Sequence, residues 1–264
     1  MIRTAFLLTL LTMFLVLIGN LVGGRTGMII ALGIGLALNF VNYWFSSKLI
    51  LKAFGGQELR RGDHGGQLDW LYDDIEQMAT KADMPMPKVA IIPKAGPNAF
   101  ATGRNPKNAV VAITQGLLHI CDRRQVRAVM AHELGHVRNR DMLTMTLVSG
   151  AVSAIGMLAW MAQWGAIFGG GNDDEGGGIL GLLAVAIFAP MVAGLVQMGI
   201  SRAREFEADV QGAKLSGDPH ALADALETLH RNIPHAPPVT ESGTTAHLMI
   251  ANPFAGRSLA KLFS

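Results

Sequence analysis

The chain has 264 residues, 50% of them hydrophobic and only 16% charged, with 31 glycines and a formal net charge of +2. A soluble domain carries about 25% charged residues, so the deficit excludes a disordered chain and an ordinary all-soluble enzyme. The near-neutral balance speaks against a nucleic-acid partner, and a single cysteine, Cys121, excludes an internal disulfide framework and a Cys-rich zinc site.

In chain order, the first two elements are uncharged windows, Thr4–Gly24 of 21 residues and Thr26–Ser47 of 22. A helix crossing the hydrocarbon layer takes about 20 apolar residues, so each window is long enough to span. The first runs beyond the length of a signal-peptide core and has no small-residue cleavage site after it, which makes it a retained span. Residues 1–47 are therefore expected to form a transmembrane hairpin. Residues 48–141 come next, with 14 Lys and Arg. Leu68–Ala82 places Leu71, Ile75 and Met78 at helical spacing and predicts an amphipathic helix that ends at Met84–Pro87. Lys88–Pro93 and Ala109–Thr114 read as strands, joined by a turn-rich stretch containing Asn98 and Gly103. Asp122 followed by Gln125 fits a capping box that opens a helix through Val137, with a straight run into the third apolar window.

That helix carries His132-Glu133-Leu134-Gly135-His136. Histidines at i and i+4 lie one turn apart on one face, close enough for both imidazoles to reach a single zinc at about 2.0–2.1 Å. Glu133 is rotated about 100° from His132, beside the metal without being forced to bind it. There it is placed to take a proton from water whose pKa the metal lowers to about 7. This is the zincin pattern; its plainer alternative is a structural zinc or a satisfied pair of core histidines.

Two further uncharged windows follow, Met142–Asn172 of 31 residues and Gly176–Ser201 of 26, the second containing Pro190. Residues 142–200 thus make a second transmembrane hairpin. Its loop at 169–178 is glycine-rich and acidic with no Lys or Arg, whereas residues 202–264 carry six. The positive-inside rule places residues 48–141, the tail and both termini in the cytoplasm. The expected fold class is mainly α with a small β-sheet, a multi-pass membrane protein with a zincin-like cytoplasmic metalloprotease domain built from 48–141 and 201–264.

A catalytic zinc keeps three protein ligands and one open position. The third ligand should come from elsewhere in the chain, and Ser201–Asp209 is one candidate segment: Glu205 and Asp209 share a helix face and Glu207 points about 200° away from Glu205. One carboxylate can bind the ion and the other can orient a ligand histidine through its free ring N–H. By spacing alone, His220, His230 and His235 compete for the role. At 1.5 Å rise per residue the ion would lie within roughly 10 Å of the membrane boundary. An extended peptide is expected to add to the edge of Ala109–Thr114 through its backbone.

With HELGH at 132–136 leading into one span, SRAREFEAD at 201–209 leaving another, and Asn98-Ala99-Phe100-Ala101-Thr102-Gly103 between the strands, the chain resembles the HtpX membrane metalloproteases, relatives of the CAAX prenyl proteases. That resemblance implies a one-zinc endopeptidase of the bacterial inner membrane, acting on peptides or on cytoplasmic parts of misfolded membrane proteins in quality control and the stress response. It implies Glu205 as third zinc ligand, Asp209 as support behind a ligand, and Asn98 in the cleft toward substrate or a developing oxyanion. Similar proteins continue past a stretch like Leu262-Phe263-Ser264 into a His-Pro segment. A chain shortened there is expected to bind zinc yet hydrolyse poorly, with His247 a weak substitute. The competing functions are a catalytically silent, zinc-stabilised membrane scaffold and a small channel or transporter; none of the four windows has an interior ionisable residue of the kind transporters use. The residues carry no information on oligomeric state.

Overall fold

A computed structural model describes residues 2–168 and 177–232. Most of the acidic glycine loop, together with His235, His247 and the C-terminal stretch, lies outside the described residues. The chain divides into two compact units, residues 1–44 with 143–204, and residues 45–142 with 205–264.

The first unit is helical. Helix α1 (Ile2–Phe54) is broken at Gly23 and Gly24, where Gly24 takes φ 57°, ψ −147°, a conformation open only to glycine. The break folds the helix into two arms. Gly19 and Gly27 let the arms meet, since a Cβ on Gly19 would stand 2.8 Å from the Cβ of Ala31. Helices α5 (Asp141–Phe168) and α6 (Gly177–Ser216) complete the unit. Its interior combines large aliphatic side chains, Leu11, Leu15, Ile18, Ile155, Leu158 and Ile200, with alanines such as Ala31, Ala154 and Ala193, while Phe188, Met191, Leu195 and Met198 face outward. Large apolar side chains facing outward, with alanines among the interior contacts, suit helices packed in lipid. Among the described residues, three helices have stretches long and apolar enough to cross a membrane, Thr9–Leu38, Asp141–Trp164 and Leu183–Ser216. The first of these includes the Gly23–Gly24 break.

The second unit is built on a four-stranded sheet of order β1-β2-β4-β3. Strands β2 (Lys88–Ile92) and β4 (Ala109–Thr114) are parallel, with Lys88 opposite Val110 and Ile92 opposite Thr114. Strands β1 (Gln57–Leu59) and β3 (Ala99–Gly103) flank them antiparallel. Every residue of β4 is buried, as expected of a central strand whose sequence is apolar throughout. Two expectations are corrected here. The stretch after Asn98 is a strand rather than a turn, and because it pairs with β4, the open edge on that side belongs to β3 and not to Ala109–Thr114. The end of α1, through Ile50, Leu51 and Phe54, covers one sheet face with Phe100, Val110 and Ala112.

The other face packs against α2 (Asp69–Lys81), which buries Leu71, Ile75 and Met78, and against α4 (Arg123–Arg138). Helix α3 (Gln115–Ile120) links β4 to α4, and α7 (Pro219–Asn232) lies along α4. The Asp122–Gln125 capping box forms in full. Two ion-pair clusters fix α4. Buried Asp74 of α2 accepts two hydrogen bonds of 3.1 Å from Arg123 and one of 2.6 Å from Arg127. Arg124 reaches Asp218, just past the end of α6, at 2.6 Å.

Helix α4 does not run straight into α5. Asn139 caps it and Arg140 takes φ 58°, a left-handed residue that breaks the helix before Asp141. A straight continuation fails because Asp141 is drawn back toward the last turn of α4 by an ion pair with His136.

The C-terminal part of α6 crosses α4 at very short range, with glycine on both helices. A Cβ at Gly212 would stand 3.0 Å from the backbone N and Cα of His132, and one at Gly135 would stand 3.0 Å from the Ala208 carbonyl oxygen. Gly212→Ala is therefore expected to push the helices apart and to cost about 1–3 kcal/mol, read as a lower unfolding midpoint of the detergent-solubilised chain. An unchanged midpoint would show that the crossing has room to spare.

Candidate metal centre

The close crossing decides what the side chains can do. His132 and His136 stand one turn apart on α4, with ring centroids 4.8 Å apart and planes at 89°. Their Nε2 atoms are 3.2 Å apart. From α6, Glu205 brings Oε2 to 3.4 Å from Nε2 of His132 and 3.8 Å from Nε2 of His136. These three residues form a group whose ligand atoms all lie within 4.8 Å of one another. Ligand atoms held about 2.0–2.1 Å from a tetrahedral ion are separated by roughly 3.3 Å. The edges of 3.2, 3.4 and 3.8 Å fit one ion on three ligands with a fourth position left over.

Each imidazole has a carboxylate on its far side. Asp209 Oδ1 is 3.0 Å from Nδ1 of His132, although the approach is too oblique for a well-formed hydrogen bond. Asp141 Oδ2 is 2.8 Å from Nδ1 of His136. With an anion at each Nδ1, the Nε2 lone pairs are the ones turned toward the shared point. His132 is buried and His136 mostly so, whereas the side chains of Glu205 and Asp209 are 54% and 56% exposed, so the group opens to solvent on the α6 side.

The same carboxylates act on the protonation of the two imidazoles. Burial opposes a charge on His132, but Asp209 and Glu205 outweigh it and lift its pKa to about 10. His136 is likewise raised, burial being overcome by Asp141 and Glu133. The carboxyl of Glu133 is raised above the usual range chiefly by its complete burial, against the pull of the two imidazoles and of a hydrogen bond from the backbone of Ala101. A carboxylate made more basic in this way is a better proton acceptor.

The structure thus brings His132, Glu133, His136, Glu205 and Asp209 together. Glu207 is exposed on the opposite side of α6. Among the described residues, His64, His119, His220 and His230 do not join the group. Asn98 is buried at the head of β3, three residues before Ala101. Its backbone N–H donates to the Thr114 hydroxyl at 2.8 Å, and its carbonyl accepts from the Thr114 N–H at 2.9 Å. Sequence reasoning missed Asp141. The one available signal was a carboxylate five residues after the second histidine, and it becomes meaningful only with the helix break at Arg140. The Ala101 amide was missed as well, because its strand read as a turn.

Comparison with known proteins agrees with this geometry. The sequence model of peptidase family M48 matches residues 66–262. A protease HtpX homolog from Desulfatibacillum aliphaticivorans is 48% identical over all of this chain and 84% of its own length. Those of Syntrophobacter fumaroxidans and Pyrococcus abyssi are 47% and 44% identical, over 93% and 90% of their lengths and 99% and 100% of this chain. Among solved structures, Ste24p of S. mikatae is similar in fold at a TM-score of 0.55 and 18% identity. That likeness covers 83% of this chain, which spans about half (54%) of the Ste24p chain. A membrane protein whose two adjacent helices carry a His-His-Glu group beside a buried glutamate, and whose sequence matches along its whole length, belongs to peptidase family M48 as a metallopeptidase of the HtpX type.

Proposed function

We propose that the protein is a zinc-dependent endopeptidase of the bacterial inner membrane, with its site on the cytoplasmic side, that cleaves cytoplasmic parts of misfolded membrane proteins in quality control and stress. The observation that carries the catalytic reading is the triangle of His132, His136 and Glu205 with buried Glu133 at its side. Two imidazoles and one carboxylate are a donor set suited to zinc with one position open. The cytoplasmic placement is supported by the 14 Lys and Arg of residues 48–141 against none in the 169–178 loop.

Bound at this triangle, zinc would supply Lewis acidity to the scissile carbonyl. Glu133 accepts a proton from the attacking water and delivers it to the leaving amine. Asp209 and Asp141 hold the two imidazoles from behind. Substrate is proposed to lie along β3. Since Asn98 shares hydrogen bonds with Thr114, the alternation of an antiparallel ladder turns the backbone groups of Phe100 and Thr102 toward β4 and those of Ala99, Ala101 and Gly103 toward the open edge. A peptide paired there is read through its backbone, which suits varied unfolded sequences. Asn98, at the head of the same strand, is proposed to contact substrate or the developing oxyanion.

Glu133→Gln should keep one zinc per chain and lose about 10²–10⁴-fold in peptide turnover, whereas His132→Ala should lose the metal itself; elemental analysis beside a casein-cleavage assay checks both, and undiminished turnover in Glu133→Gln removes it as the base. Asp141→Asn keeps the shape and weakens the anion behind His136, so zinc affinity measured against a competing chelator should fall about 10–100-fold. An unchanged affinity would make Asp141 a helix-start residue only.

A further inference from the structure

A second feature of the cytoplasmic unit lies outside the catalytic group. A cavity of about 260 Å³ opens between the end of α1 and the N-terminal ends of the parallel strands β2 and β4. Three lysines are among its lining residues, Lys48 from α1, Lys88 from β2 and Lys107 from the turn before β4, with one acidic residue, Glu58. Glu58 is already engaged, its Oε2 lying 2.9 Å from Lys88 Nζ. Lys48 and Lys107, both exposed, are thereby left as the excess positive charge of the cavity. Leu51, Met86 and Val89 supply an apolar wall. The volume is below that of drug-sized pockets, which start near 300 Å³, and it suits a small anionic group with a short carbon stem.

The position along α1 says which anion is on hand. Lys48 is the first charged residue after 22 uncharged ones. One turn before it, Trp44 and Phe45 are about half exposed, and Trp44 packs against Phe40 with ring centroids 6.1 Å apart. Exposed aromatic rings followed at once by lysine mark the depth of lipid headgroups. Basic pockets at that depth on the cytoplasmic side bind anionic phosphate headgroups. We propose that this cavity is a binding site for a phosphate-bearing anion, the headgroup of an anionic phospholipid, held by Lys48 and Lys107 and opposed by Glu58. The site is independent of peptide hydrolysis.

The full chain in nonionic detergent is titrated with dihexanoyl phosphatidylglycerol, dihexanoyl phosphatidylcholine and inorganic phosphate, and bound adducts are counted by native mass spectrometry. Phosphatidylglycerol should bind one per chain and more tightly than phosphatidylcholine. The Lys48→Gln/Lys107→Gln variant should lose roughly 30-fold in affinity, from about 1 kcal/mol per lysine. A charge-matched control, Lys52→Gln/Lys94→Gln, lies outside the cavity and should bind as the parent does. Glu58→Gln, which releases Lys88, should bind roughly fivefold more tightly; this opposite sign tests the site even if the double variant is destabilised. Inorganic phosphate binding with the same variant pattern, and no preference for the lipid, would assign the site to free phosphate. Equal losses in pocket and control variants, or no gain in Glu58→Gln, would overturn the proposal and leave only a diffusely basic surface.

Discussion

The close crossing of α4 and the C-terminal part of α6, made with glycine on each side, is the constraint on which the rest of the cytoplasmic unit depends. Gly212 lies against the backbone of His132, and Gly135 lies against that of Ala208. Only at such a separation can a short carboxylate side chain from one helix come within 4 Å of two imidazole nitrogens on the other. The surrounding contacts hold α4 from several directions. Asp74 grips its start from α2, Asp218 grips it from the end of α6, and the sheet and α7 lie along its length. Helix α4 is thus held from several sides, which suits residues that would have to keep a fixed geometry for an ion.

Electrostatics completes what packing begins. Four carboxyl groups, Glu133, Asp141, Glu205 and Asp209, surround two imidazoles in a small, partly buried volume. Without a cation, the imidazoles are drawn toward the protonated state. A divalent ion held by His132, His136 and Glu205 would supply that positive charge instead. The arrangement is one that favours a cation at a fixed point, and the geometry selects which atoms face it.

Much of this was legible in the residues. The capping box, α2, β2 and β4 follow from periodicity and turn chemistry, and their observed limits lie within a residue or so of the expected ones. The apolar helices were legible because charge is absent over windows too long for a soluble core. Strand β3 was not, because a short strand between Pro97 and Gly103 carries the composition of a turn and is defined only by its partner β4. The helix break at Arg140 was hidden because arginine seldom takes a left-handed conformation. For the same reason Asp141 went unnoticed behind His136. The choice of Glu205 among neighbouring acids and distant histidines could not be made from spacing, since it depends on how α6 crosses α4. That is a tertiary fact.

The central claim is that one ion is shared by two imidazoles of α4 and one carboxylate of α6. X-ray absorption at the metal edge of the zinc-loaded full chain, compared with a Glu205→Ala variant, tests it most directly. The account predicts two imidazole nitrogens and light oxygen scatterers at about 2.0–2.2 Å in the parent, with the imidazole signal kept and the oxygen shell altered in the variant. A spectrum showing three imidazoles, or one that does not change when Glu205 is removed, would contradict it.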